Sequence, residues 1–168
     1  MNFYTDIIQK SSEFHNVSRV STLTLLEPGT VAAVKAIISD AASEGISLIA
    51  FETYRSIERQ IFLFKEGATK LETVGTHHFG IACDLVKANP NGSPDWSGDY
   101  SFLLPLARKH GLVSGQDWGE PNKVHTFVDA DHCQRIPLWR QDALFKGLWY
   151  PPASGYDPYT DQPEGAQT

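Results

Sequence analysis

The chain has 168 residues, of which 41% are hydrophobic and 20% charged, and a formal net charge of −6. That length suits one domain with a sizeable core, and no run of about 18 apolar residues offers a membrane span. An acidic balance without a Lys/Arg cluster argues against a nucleic-acid groove, which needs a basic stripe against the phosphates. The two cysteines, Cys83 and Cys133, are too few for a disulfide scaffold and lack zinc-finger spacing.

Residues 1–27 read as a short helix and a loop, and the N-terminus has no basic start followed by an apolar stretch, so no signal peptide is expected. A helix follows, with Thr30 as a possible cap, Val31, Val34, Ile37, Ile38 and Ala41 at helical spacing, and Gly45 as its end. The apolar run 46–53 reads as a buried strand. Ser56 can cap a second helix that stops at Gly67, and 68–76 form a loop. Residues 81–88 read as a strand, followed by a turn-rich loop. A helix is expected from about Tyr100 to His110, extended chain over 123–136, and a last helix with Pro137 at its start. Beyond Tyr150 the sequence holds four prolines and three acidic residues with no basic one, as in a tail or a surface strap. Residues 1–150 are thus the folded domain and 151–168 the tail. The irregular alternation of helices and strands indicates an α+β fold.

Three stretches hold most of the unusual chemistry: "ETYRSIERQ" (52–60), "THHFGIACD" (76–84) and "FVDADH" (127–132). His77 and Asp84 flank a glycine, and His132 follows about fifty residues later. Two imidazoles and a carboxylate with one position left open make a catalytic zinc set. The same donors serve non-haem iron, and histidines are also common as structural residues, so spacing alone leaves these readings open. In extended chain, Cys83 and Cys133 alternate away from the neighbouring candidate ligands, which makes them buried free thiols. His78 would point away from His77, toward the surface or a supporting position.

The ordered pattern of Tyr54, Arg55, Ser56 and Gln60, then His77, Gly80, Ala82 and Asp84, then Trp118, Gly119, Phe127, Asp129 and His132 resembles a family of zinc peptidases that cut bacterial cell-wall peptides. These are the D-Ala-D-Ala carboxypeptidases and dipeptidases and the L-alanyl-D-glutamate endopeptidases, many bacteriophage endolysins among the latter. The pattern covers roughly 25–135. Gly75 stands where the family often has serine, and Ala130 and Asp131 replace the usual approach to the last histidine, which often carries a proline.

The resemblance implies a small central antiparallel sheet flanked by helices, shared with lysostaphin-type peptidases and the Hedgehog signalling domain. It implies one zinc ion held by His77, Asp84 and His132, Asp129 as general base, and Arg55 on the substrate carbonyl or oxyanion, with Gln60 nearby. His125 is a further candidate lining of the substrate groove. Asp131 is expected to face away, solvated or paired with Lys123 or Arg135. The activity implied is hydrolysis of the peptidoglycan stem peptide, at the L-alanyl–D-glutamate bond by a monomeric endolysin that accumulates in the cytoplasm and reaches the wall after holin-type release. The alternatives are a D,D- or L,D-carboxypeptidase and, in another class, a non-catalytic zinc-bearing binding module.

Overall fold

The computed structural model describes residues 2–163. Its helices are α1 (Phe3–Asp6), α2 (Pro28–Ser43), α3 (Ile57–Lys65), α4 (Leu103–Lys109) and α5 (Gln141–Phe145). Its strands are β1 (Leu48–Glu52), β2 (Ala82–Ala88), β3 (Pro94–Asp95), β4 (Val113–Ser114) and β5 (His132–Gln134). The sheet runs β1-β2-β5-β4, with β3 folding back on the far end of β2, and every pairing is antiparallel. The architecture is the expected α+β arrangement of a small antiparallel sheet with helices. Among the described residues no helix is long and apolar enough to cross a membrane.

One face of the sheet packs on α2 and α4. Val34, Ile37 and Ala41 from α2 and Leu103, Leu106 and Ala107 from α4 meet Leu48, Cys83, Leu85 and Cys133 from the strands. Strand alternation then assigns the other face. Asp84 lies between Cys83 and Leu85, so its side chain leaves the core, and His132 does the same beside Cys133. Both cysteines are free and buried, and burial raises both thiols above their usual range, which keeps them neutral.

Sequence reading and structure differ at several ends. Helix α2 begins two residues before Thr30, because the buried Glu27 carboxylate accepts from the Gly29 and Thr30 backbone N–H groups and acts as the cap. Ser56 caps α3 as expected, accepting from Arg59 N–H at 3.0 Å. Of the extended stretch expected over 123–136, only His132–Gln134 pairs as strand. The last helix is a 3-10 turn over Leu138–Arg140 followed by α5.

Within 151–163 the chain lies on the body. Tyr159 donates its hydroxyl to Leu112 O, and Asp161 takes two hydrogen bonds from the Arg140 guanidinium. Residues 164–168 of the expected tail fall outside the described residues.

Two local features aim the second face. A bulge at Phe51 shifts the β1 register, so that Ala50 faces Leu85 while Glu52, rather than Phe51, faces Asp84. Gly80 ends the 3-10 turn Thr76–Phe79 in a left-handed conformation, φ 68°. A Cβ at Gly80 would sit 2.5 Å from Leu25 O, so the glycine serves the packing of this turn against the N-terminal segment rather than space around the histidines.

Candidate metal centre and cleft

Asp84 and His132 are direct cross-strand partners on β2 and β5, and His77 reaches them from the 3-10 turn that leads into β2. Three atoms converge. His77 Nε2 lies 3.1 Å from Asp84 Oδ1, His132 Nδ1 lies 3.2 Å from the same oxygen, and the two ring nitrogens are 3.2 Å apart. These three residues form a group able to hold a metal ion.

The remaining ring nitrogens decide which atoms are free to ligate. His77 Nδ1 faces the Thr53 carbonyl at 3.1 Å, which can only accept, so Nδ1 carries the hydrogen and Nε2 keeps its lone pair. His132 Nε2 faces Gln134 Oε1 at 3.1 Å. The Gln134 amide is oriented by its own bonds: its NH2 donates to Ile136 O at 2.7 Å, and its oxygen accepts from the Thr76 hydroxyl and the Gln141 amide. His132 is thereby fixed with its lone pair on Nδ1. Such outer partners orient metal-ligating histidines in known sites.

Two lone pairs and one carboxylate oxygen thus point at a common centre, an arrangement that repels itself unless a proton or a cation lies between. Burial alone would raise the Asp84 carboxyl, yet the adjacent histidines hold it well below the usual carboxylate range. Burial alone would likewise lower His132, and Asp84 raises it instead. Ligand atoms of a tetrahedral zinc with bonds of about 2.0–2.1 Å stand about 3.3 Å apart. The observed triangle of 3.1–3.2 Å fits that dimension, and the donors fit that metal.

The cluster opens into a cleft of about 600 Å³. On one wall Glu52 holds two arginines. Its Oε2 accepts from Arg55 Nε at 3.1 Å and from an Arg55 terminal nitrogen at 2.5 Å, and its Oε1 accepts from Arg59 Nε. The same Arg55 nitrogen lies 3.4 Å from Asp84 Oδ2, so Asp84 faces the histidines with one oxygen and Arg55 with the other.

Gln60 is only 2% exposed and fully engaged. Its oxygen accepts from Arg55, and its amide donates to Thr69 Oγ1 and Leu71 O. Gln60 thus lies near Arg55 as expected, lines the cleft, and bridges Arg55 to the loop after α3. His125 lines the cleft, half-buried, and donates from Nε2 to Glu120 O.

His78 is not at the surface. It is buried beside Tyr4, Phe14 and Tyr54, bonds Tyr4 OH at 2.8 Å and the Arg55 carbonyl at 3.3 Å, and its pKa is lowered by that burial.

Asp129 lines the cleft, as Arg55 does, without joining the three-residue cluster. Its position depends on Gly115. Gly115 N–H donates to His132 O while Gly115 O accepts from Asp129 N–H, so one residue of the neighbouring chain spans both and Ala130–Asp131 bow outward between them. A Cβ on Gly115 would lie 2.4 Å from Asp129 O and 3.0 Å from Asp129 Cβ. Beside it, Trp118 takes a left-handed backbone, φ 52°, with its indole N–H on Phe127 O and its ring 5.5 Å from that of His132.

Asp131 departs from expectation. It lines the same cleft, while Lys123 pairs with Glu120 and Arg135 with Glu27. Burial, followed by the charges of Asp84 and Asp129, pushes its carboxyl up to about 7.

No protein-family model matches the chain. It is 28% identical over 115 residues to the peptidoglycan L-alanyl-D-glutamate endopeptidase CwlK of Bacillus subtilis, a match covering 58% of this chain and 65% of the relative's length. The chain is therefore similar in sequence to a peptidoglycan peptidase over a little more than half its length. The crystal structure of the Serratia marcescens L-Ala D-Glu endopeptidase ChiX superposes with a TM-score of 0.52 at 22% identity, over 76% of this chain and 95% of that one, which establishes a shared fold.

Sequence reading missed Gln134, Thr53, Arg59 and Gly115. Gln134 was reachable, since alternation places it on the His132 face. Thr53 acts through its carbonyl and Gly115 through a missing side chain, and neither leaves a signal in a single sequence.

Two outcomes are expected. Gln134→Met removes the acceptor for His132 Nε2–H, so the affinity of the cluster for an added divalent metal ion should fall about 10–100-fold, as read by competition with a chelating dye. In metal-free protein the raised Asp131 pKa disfavours folding once the carboxylate ionises. Asp131→Asn therefore gains stability over the parent as pH rises from about 4 to about 7, a difference read by denaturant titrations at several pH values.

Proposed function

We propose that the chain is a zinc peptidase that cleaves the L-alanyl–D-glutamate bond of the peptidoglycan stem peptide. The observation that supports this most directly is the cluster of His77 Nε2, Asp84 Oδ1 and His132 Nδ1, with both imidazole tautomers set for ligation, opening into a cleft that Asp129 and Arg55 also line. The CwlK relative supplies the substrate bond. The chain spans about 65% of that relative's length, so activity and substrate are carried over as part of the proposal.

His77, Asp84 and His132 would hold the zinc. When bound there, it supplies Lewis acidity for the scissile carbonyl and makes water nucleophilic near neutral pH. The resemblance favours zinc over iron for this donor set.

Asp129 accepts the proton of the attacking water and returns it to the leaving amine. Arg55, oriented by Glu52 and Gln60, donates to the carbonyl oxygen as negative charge develops on it. Asp131 lines the same cleft, and the family pattern, which sets the base three residues before the last ligand histidine, favours Asp129 over it. His125 lies where it can contact the peptide along the cleft. A non-catalytic module has no use for an acidic group held beside the metal cluster by a dedicated backbone device. An endolysin role in host lysis belongs to the same proposal and rests on the resemblance.

Digestion of purified peptidoglycan tests the reading. New N-terminal D-glutamate, lost on chelation and restored by zinc, is the expected product. Released D-alanine instead would make the chain a carboxypeptidase, and intact walls with metal-loaded protein would exclude peptidase activity. Asp129→Asn should keep zinc and lose about 10²–10⁴-fold in turnover, whereas Asp131→Asn keeps most of its activity. The reverse pattern would move the base by two residues. Gly115→Ala should likewise keep zinc while turnover falls about 100-fold, the scale of an ångström-sized misplacement. Metal content and initial rates on one preparation separate these outcomes from unfolding.

A further inference from the structure

Along the cleft, Trp96 projects from the end of the short strand β3. Its ring is 53% exposed, although it lines the same cavity as the metal cluster. Phe51, the residue at the β1 bulge, packs against it roughly perpendicular, at 4.8 Å between centroids and 82° between planes. Phe51 is fixed from behind by Arg19, whose guanidinium lies 4.0 Å over the ring and donates to the Phe51 carbonyl.

The backbone on both sides of Trp96 is also held. Tyr100 OH donates to Asp95 O at 2.7 Å, and the Asp95 carboxylate accepts from Ser97 N–H at 2.9 Å and from its hydroxyl at 2.5 Å. Lys87 pairs with Asp95 across the strands and donates its ammonium to Ser97 O. An indole on a mobile turn needs no such frame. A rigid, half-exposed aromatic face inside a cleft indicates a ligand with a flat apolar surface and polar edges.

We propose that the Trp96–Phe51 pair is a stacking platform for the muramyl sugar of the glycan strand. The choice of ligand rests on the stem-peptide reading above. In peptidoglycan the L-alanine is joined to the lactyl group of that sugar. The scissile bond therefore lies two extended units, roughly 7 Å, from the pyranose. An enzyme that cuts there must receive the sugar in or beside the same cleft. A pyranose ring presents an apolar face of C–H groups to the indole while its hydroxyl and acetamido groups stay at the wet rim. The platform would set specificity for peptide still attached to glycan over free peptide.

The test is equilibrium binding to the full chain in chelator, where nothing is cut. The ligands are a disaccharide-peptide and the same peptide without sugar. The parent protein is expected to bind the sugar-bearing ligand about tenfold more tightly, the scale of one good aromatic stacking contact. Trp96→Ala should abolish that preference, and Trp96→Phe should retain part of it. A parent with no preference, or a Trp96→Ala variant that keeps it, overturns the platform. Equal weakening of both ligands in Trp96→Ala also overturns it, assigning Trp96 to the peptide. Turnover of the same two ligands by zinc-loaded protein reads the peptidase activity separately: sugar preference without cleavage would sink that activity and leave the platform standing.

Discussion

The register that sets Asp84 opposite His132 is the constraint on which the site depends. Side chains along a strand alternate faces, so a slip of β5 by one residue against β2 would turn every side chain of β5 over. Cys133 would turn into the cleft and His132 into the packing against α2 and α4, away from Asp84. The aliphatic burial at Leu85 and the paired thiols therefore does more than contribute stability. It pins the register that brings a carboxylate and an imidazole to one point, and the hydrophobic core specifies the polar site from behind.

Charge arrangement follows from the same geometry. Asp84 places one oxygen toward the two histidines and the other toward Arg55, while Glu52 sits opposite it on β1 because of the bulge at Phe51. Glu52 offsets much of the cost of burying two guanidinium groups by accepting from both Arg55 and Arg59. The cleft is consequently lined by two arginines and by the carboxylates of Glu52, Asp84, Asp129 and Asp131, so hydrogen-bond donors and acceptors both face it.

Much of this was legible in the sequence. Strand β2 and helix α3 were readable because apolar periodicity, a serine cap and a glycine stop agreed with one another. His77, Asp84 and His132 could be nominated from residue type and order, and the structure brings those three together. The stretch 123–136 was less readable. Its extended composition suggested a long strand, but only three residues pair, because the chain bows around Gly115 before β5 begins. Asp131 was expected to face away because the family pattern assigns the base to Asp129 and alternation separates neither carboxylate from the other, whereas the structure sets both in the cleft lining. Glu27 was missed as a cap because a glutamate ahead of a proline is a weak helix-start signal beside a nearby threonine.

Gln60 carries a consequence for motion. Through one amide it ties the loop at Thr69 and Leu71 to Arg55, and through Arg55 to the free oxygen of Asp84. The loop after α3 cannot swing outward without breaking two hydrogen bonds at Gln60 or dragging the amide with it. A substrate that displaces this loop would thereby loosen the cation beside Asp84 and change how much negative charge that carboxylate can offer a metal. A single buried side chain thus links that loop to the carboxylate through Arg55, and a displacement of the loop would be felt at Asp84 as well.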